Sequence, residues 1–173
     1  MRVFVAVPLS PEREGDERRA PEHLTLRFLG ETPERSLPPL EDRLCEGVAR
    51  HAGFEMVIDG VGAFPSADRP RVVWRGVGTG EGSLRRLALD VREAVVSVGF
   101  PEDPVPFAPH VTLFRVRSPA DRERALSLLK GSLPAPPPSS VRVREVHLVE
   151  SRLTPAGAIH RVRTRFPLGP VDG

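Results

Sequence analysis

Hydrophobic and polar positions follow two periods along the chain, and together these predict a mixed α and β protein. Apolar residues at helical spacing predict three helices, over residues 33–51, 83–98 and 119–129. Short apolar or alternating runs predict strands at 2–9, 23–29, 55–61, 71–77, 110–116, 141–150 and 159–168. The resulting order, ββαββαβαββ, is typical of an α+β fold made of sheets and packed helices.

One seven-residue pattern occurs in two of these strands. The first copy, HLTLRFL, spans residues 23–29, and the second, HVTLFRV, spans residues 110–116. Alternate side chains of a strand point to opposite faces, so the His and the Thr of each copy share one face. The apolar residues between them are expected to point into a core: Leu24, Leu26, Val111 and Leu113.

The repeat places an imidazole and a hydroxyl on each of two strands. If the strands meet, His23 and His110 can form one site with two histidines, the minimum for acid–base chemistry on a phosphodiester at neutral pH. A single His-x-Thr in a strand is an ordinary packing pattern. Its duplication makes the two histidines the leading catalytic candidates, and the hydroxyls of Thr25 and Thr112 candidate donors to phosphate oxygens.

The amino-acid composition limits which binding partners and which cellular compartment are expected. The 173 residues include 25 basic and 23 acidic side chains, and the sequence pI is about 9.4. A formal net charge of +2 favours recognition of an RNA end or a nucleotide over extended nonspecific binding. The lone Cys45 permits no internal disulfide and no thiolate zinc site. Without a signal-like N-terminus or a long apolar run, the chain is expected to be a cytoplasmic protein with no membrane association.

Five further segments, one of which includes the second motif, add to the evidence for a family resemblance. They are RVFVAVP at 2–8, GAFP at 62–65, RPRVVW at 69–74, PFAPHVTL at 106–113 and ESRL at 150–153. With these segments in this order, the chain resembles the 2H phosphoesterase superfamily, specifically the bacterial and archaeal RNA 2′,3′-cyclic phosphodiesterases formerly called 2′-5′ RNA ligases. The resemblance implies an α+β fold with two pseudo-symmetric lobes. Each lobe is an antiparallel sheet with helices on the outside, the catalytic cleft lies between the lobes, and residues 1–173 form a single domain.

The resemblance also implies a reaction. The expected activity is hydrolysis of RNA or nucleotide 2′,3′-cyclic phosphate ends to a 2′-phosphate, without metal or cofactor, and the reverse condensation would be 2′-5′ RNA ligation. It favours His110 as the proton acceptor from water and His23 as the proton donor to O3′, although the residues alone do not choose between these roles. The alternatives are another small cyclic phosphate, such as an ADP-ribose derivative, a noncatalytic RNA-end-binding module, and a metallohydrolase.

Further residues are assigned to substrate binding. Thr25, Thr112 and Arg115 are expected to bind phosphate, and alternation adds Arg27 because it places this residue on the face of His23. Phe107, three residues before His110, is the candidate for base stacking, with a core position as its alternative.

The other three histidines, His51, His147 and His160, are expected to be structural. In similar proteins the segment before the first motif is longer than Ser10–Glu22. The sequence therefore does not define the substrate-binding surface near this motif. The protein is expected to be a monomer.

Overall fold

The computed structural model describes residues 1–10 and 23–170, so nearly all of the predicted loop before the first motif lies outside the described residues. Two four-stranded antiparallel sheets form the frame. Sheet 1 has the order β2-β1-β7-β8, with β1 (Arg2–Pro8), β2 (His23–Glu31), β7 (Glu145–Thr154) and β8 (Gly157–Pro167). Sheet 2 has the order β5-β4-β3-β6, with β3 (Phe54–Phe64), β4 (Val72–Val77), β5 (Val111–Arg115) and β6 (Ser139–Val143).

Three α-helices accompany the sheets in the described part of the chain, and α1 and α3 begin where the sequence favours it. They are α1 (Leu37–Ala49), α2 (Glu81–Ser97) and α3 (Pro119–Leu129), with a 3₁₀ turn over Glu34–Ser36 before α1. Prolines occupy the first turn of α1, where a missing N–H costs nothing. The Ser118 hydroxyl caps α3 by accepting a hydrogen bond from the backbone N–H of Asp121 at 3.1 Å. Among the described residues, no helix combines the length and apolar character needed to cross a membrane.

One hydrophobic core joins both sheets. Helices α1 and α2 pack against each other, and they also contact β8 and β2, respectively. The core contains Val5 and Leu24 of sheet 1, Met56 and Ile58 of sheet 2, and Leu87 of α2, all less than 5% exposed. The helices therefore cover one face of sheet 1 and leave its other face for the site.

The predicted strand over residues 141–150 is wrong, because this segment forms two strands in different sheets. Val143 pairs with Phe54 in sheet 2, whereas Glu145 pairs with Pro167 in sheet 1. Between them, the carbonyl of Arg144 accepts the N–H of Leu168 at 2.9 Å. The chain thus passes from one sheet to the other at the point where the apolar alternation breaks.

Each motif strand contains a β-bulge at the fourth position of the repeated pattern. In β2, Thr25 pairs with Ala6 and Arg27 pairs with Val5, so Leu26 is the extra residue. In β5, Thr112 pairs with Trp74 and Phe114 pairs with Val73, so Leu113 is the extra residue. A bulge reverses the face of every side chain beyond it.

The expectation that Leu113 points into the core is also wrong, since its side chain is 36% exposed. Leu24, Leu26 and Val111 are buried as predicted. Leu26 and Leu113 are both the extra residue of a bulge, but only the side chain of Leu26 is enclosed by the core.

Candidate active site

The first motif presents its His and Thr on the face of sheet 1 away from the main core. Val5 belongs to the core beneath the helices, whereas Phe4 and Ala6 belong to a separate cluster on the opposite face. Paired residues of neighbouring strands share a face, and His23 pairs with Pro8 while Thr25 pairs with Ala6. We call the face that carries the motif His and Thr the site face of each sheet.

The His23 imidazole lies in a cluster of rings. It stacks on Phe4 with ring centroids 4.8 Å apart and an interplanar angle of 29°. The ring of His160 meets it edge to face at 5.1 Å and 62°, and also contacts Phe4 at 5.1 Å. Phe4 is only 3% exposed, and both imidazoles pack against its ring.

His110 immediately precedes β5, and its ring is oriented by a backbone hydrogen bond. Its Nδ1 lies 2.7 Å from the carbonyl oxygen of Ala108. A carbonyl only accepts, so we assign the proton of the neutral ring to Nδ1, which leaves the Nε2 lone pair for other chemistry. The ring also packs against Phe64 at 4.9 Å and Trp74 at 6.4 Å on the site face of sheet 2.

The fold brings the two motif strands together. β2 and β5 are edge strands of their respective sheets, and their backbones approach to Cα separations within 8 Å. The strand that carries His23 and the strand that follows His110 therefore lie side by side at the junction of the two sheets. The two motif strands therefore meet, which is the arrangement that a site shared by His23 and His110 requires.

Arg115 shares the site face of sheet 2 with Thr112. Thr112 pairs with Trp74 and Arg115 pairs with Val72, and Val72 and Trp74 are alternate residues of β4. Both Thr112 and Arg115 are exposed. Strict alternation would place them on opposite faces, so the bulge at Leu113 is what returns the guanidinium to the side of the threonine.

The alternation that placed Arg27 with His23 is wrong, because the bulge at Leu26 moves Arg27 to the core side of β2. Its side chain is 7% exposed and pairs with the Asp103 carboxylate at 2.6 Å. A second guanidinium nitrogen donates to the carbonyl of Pro101. Arg27 thus anchors the proline-rich segment before His110 and does not reach the site face.

The structure gives Phe107 the core position that was its alternative. Its partly buried side chain packs against the main core, and its carbonyl accepts a hydrogen bond from Arg85 at 3.0 Å. Phe28 is instead an exposed aromatic residue on the site face of sheet 1; it is 67% exposed, and its ring centroid lies 5.8 Å from that of Phe4. Sequence reasoning missed Phe28 because, without the bulge, alternation groups it with the buried leucines.

Two of the three remaining histidines are paired with carboxylates. The Nε2 of His51 lies 2.7 Å from Asp90, and that of the buried His147 lies 2.6 Å from Glu145. His160 is different, because it contacts His23 and its buried Nδ1 has no hydrogen-bond partner. Burial, and secondarily the charge of His23, lowers the pKa of His160 to about 4.

The described residues contain no group of three or more His, Cys, Asp or Glu side chains placed to hold a metal ion. Within this part of the chain, His23 and His110 are therefore not grouped with His147 or His160 in the way that zinc ligands would be.

The comparisons with known proteins agree on one family. A family model described as the 2′-5′ RNA ligase superfamily matches residues 10–155. An RNA 2′,3′-cyclic phosphodiesterase of Aeropyrum pernix is 39% identical over 141 residues, covering 80% of this chain and 77% of the relative.

Solved structures of the same shape extend over nearly the whole chain. The crystal structure of TT0787 of Thermus thermophilus has a TM-score of 0.74 at 30% identity, covering 98% of this chain and 99% of that one. E. coli LigT complexed with 3′-AMP has a TM-score of 0.72 at 27% identity, covering 96% and 97%. The expected α+β fold of two antiparallel sheets is confirmed, and so is the resemblance. The chain belongs to the 2′-5′ RNA ligase superfamily.

Proposed function

We propose that this protein hydrolyses 2′,3′-cyclic phosphate ends of RNA or nucleotides to a 2′-phosphate, with His23 and His110 as its acid and base. The reaction class is that of its relatives, which are RNA 2′,3′-cyclic phosphodiesterases at 39% and 40% identity over 80% of the chain. The observation that supports the assignment to these residues is the meeting of β2, which carries His23 and Thr25, with β5, which carries Thr112 and directly follows His110.

His110 is the proton acceptor. Its Nδ1–H donates to the Ala108 carbonyl, which fixes the tautomer and leaves Nε2 basic. Nε2 removes a proton from water as the water oxygen attacks phosphorus. General base catalysis of this kind contributes about 10²–10⁴-fold to the rate.

His23 is the proton donor. As the bond between phosphorus and O3′ breaks, the imidazolium of His23 gives its proton to O3′, so the product keeps the phosphate on O2′. In the same turnover His110 gains a proton and His23 loses one, and exchange with water restores the starting state. The same two transfers with a 5′-hydroxyl in place of water would form the bond from phosphorus to O5′ as the bond to O3′ breaks, which joins the two ends by 2′-5′ ligation.

The hydroxyls and one arginine supply the charge stabilisation. Thr25 and Thr112 donate to the non-bridging oxygens from their respective site faces, and Arg115 adds a fixed positive charge beside Thr112. Donors aimed at oxygens whose charge grows in the transition state are worth about 3–4 kcal/mol each in such sites. Both proton transfers and the charge stabilisation are thus assigned to side chains, and no step needs a metal ion.

The test is turnover of 2′,3′-cyclic AMP and of a short RNA with a 2′,3′-cyclic end, in the presence of EDTA. We expect a 2′-phosphate product, and we expect His23→Ala and His110→Ala each to lower kcat at least about 10²-fold because each removes one proton-transfer partner. His51→Ala is the matched control, since His51 pairs with Asp90 in the helical layer. It should keep kcat within about twofold, as surface changes away from a site do.

Other outcomes would change the assignment. A 3′-phosphate product would keep the two histidines but reverse the leaving oxygen. Turnover restricted to an ADP-ribose cyclic phosphate would keep the site and change the substrate. Binding of the RNA end without turnover would make the protein a binding module, and activity only after metal is restored would make it a metallohydrolase.

A further inference from the structure

The ring of His160 contacts that of His23, and the proposed chemistry does not use this second imidazole. It lies on β8, separated from β2 by two intervening strands in the order of sheet 1. Its side chain nevertheless reaches across Phe4 and meets the His23 ring at 5.1 Å. Two imidazoles from opposite edges of one sheet therefore converge above the same buried phenylalanine.

The surroundings of His160 suit it to packing and not to proton transfer. Its Nδ1 is buried without a hydrogen-bond partner, so that atom reaches neither substrate nor water. Burial, then the charge of His23, lowers the pKa of His160 to about 4. At neutral pH this ring is therefore uncharged and does not compete with His23 for the proton that the leaving oxygen must receive.

We propose that His160 is a positioning residue that, with Phe4, confines the His23 imidazole to the orientation in which it donates its proton. Phe4 stacks on the ring, and the contact with His160 limits the rotation of the His23 side chain about χ1. The inference rests on the proposed role of His23 as the acid. Its physical basis is that proton donors act only when held in line with the leaving oxygen.

Two substitutions separate the ring contact from the polar atoms. His160→Ala removes the edge contact, and we expect kcat to fall about tenfold with KM within about twofold, because misplacement of a reacting group costs mainly kcat. His160→Phe keeps an aromatic edge of similar size, so kcat should recover to within about threefold of wild type. His51→Ala again serves as the control for loss of a half-buried histidine.

A spectroscopic measurement reads the position of His23 without any substrate. Three-bond couplings between Hα and Hβ of His23 report whether χ1 stays in one staggered rotamer or averages over several. We expect a single rotamer in wild type and in His160→Phe, and averaged couplings in His160→Ala. Melting temperature establishes that each variant is folded.

Three results would overturn the proposal: unchanged kcat in folded His160→Ala, His160→Phe as slow as His160→Ala, or a single His23 rotamer in all variants. Failure of the underlying function is separable from these results. If wild type turns over no cyclic phosphate, the role of His23 as an acid is lost, while the couplings still decide whether His160 holds the ring.

Discussion

At the scale of single residues, two arginines in equivalent motifs lie on opposite faces, because Arg27 is the first residue after its bulge and Arg115 is the second. Arg115 follows a bulge that returns it to the face of Thr112, whereas Arg27 follows a bulge that buries it against Asp103. The same residue type, in two copies of one pattern, is thus exposed on the site face in one copy and is a buried structural anchor in the other.

This difference predicts that the two arginines separate activity from stability. Arg115→Ala should lower kcat/KM about 10²-fold because it removes a charge beside the phosphate, with little change in melting temperature. Arg27→Ala should instead lower the free energy of unfolding by about 1–3 kcal/mol, since it leaves a carbonyl and a carboxylate without their partner. Steady-state kinetics and urea unfolding of both variants check this, and a larger loss of activity in Arg27→Ala would contradict the face assignment.

Phe28 occupies in the first motif the position that Arg115 occupies in the second, five residues after the histidine. The proposed cleft therefore has a guanidinium on one side and a 67% exposed aromatic ring on the other. An exposed ring on a site face suits the face of a nucleobase, whose stacking is worth about 1–3 kcal/mol.

We therefore expect Phe28→Ala to raise KM for 2′,3′-cyclic AMP about tenfold, in line with the loss of one stacking contact. A base-free ribose 2′,3′-cyclic phosphate should be unaffected, which separates stacking from damage to the phosphate site. Leu89→Ala is the control, because Leu89 is another exposed apolar side chain, 53% exposed, on α2. Equal losses on both substrates would contradict a base-stacking role.

At the scale of secondary-structure elements, the sequence pattern predicted which segments form helices and strands, but it did not predict how the strands pair. The helix α3 coincides with its predicted bounds because proline, a serine cap and the apolar spacing agree at its start. The split between β6 and β7 and the two bulges escaped prediction, since each depends on pairing with a distant strand. The faces of His23 and Thr25 precede the first bulge and were predictable, whereas those of Phe28, Arg27 and Arg115 follow a bulge and were not.

The pairing of β3 with β4 also positions the ring of His110, the proposed base. Gly62 lies opposite Trp74, and a Cβ at Gly62 would lie 2.3 Å from the indole. The absence of a side chain thus lets Trp74 lie flat across β3, where it contacts both Phe64 and His110. The GAFP and RPRVVW segments, which contain Phe64 and Trp74, therefore pack against the ring of His110.

Gly62→Ala should displace the indole and lower kcat about tenfold, because the shift is passed to the His110 ring. Trp74 is the single tryptophan, so a change in intrinsic fluorescence reports the displacement directly. Gly78→Ala is the matched control, since a Cβ there meets no atom within 4 Å. Normal activity together with a displaced indole would show that the position of His110 does not depend on Trp74.

At the scale of the whole molecule, the two sheets share a core and divide the site between them. Residues from sheet 1, sheet 2 and α2 form one buried cluster, while the two motif strands meet at its edge. A site whose two halves belong to different sheets works only if the sheets keep a fixed relative position. We therefore propose that the chain folds as one cooperative domain.

A cavity in one sheet should then destabilise the other. Leu148 is fully buried in β7 of sheet 1, whereas Trp74 lies in β4 of sheet 2. Leu148→Ala should lower the free energy of unfolding by about 2–5 kcal/mol, the usual range for such a truncation. In urea, Trp74 fluorescence and far-UV circular dichroism should shift to the same lower midpoint, since two-state unfolding gives coincident transitions. A Trp74 transition that keeps its wild-type midpoint would show that sheet 2 unfolds independently, and the shared core would then not make the two sheets one unit.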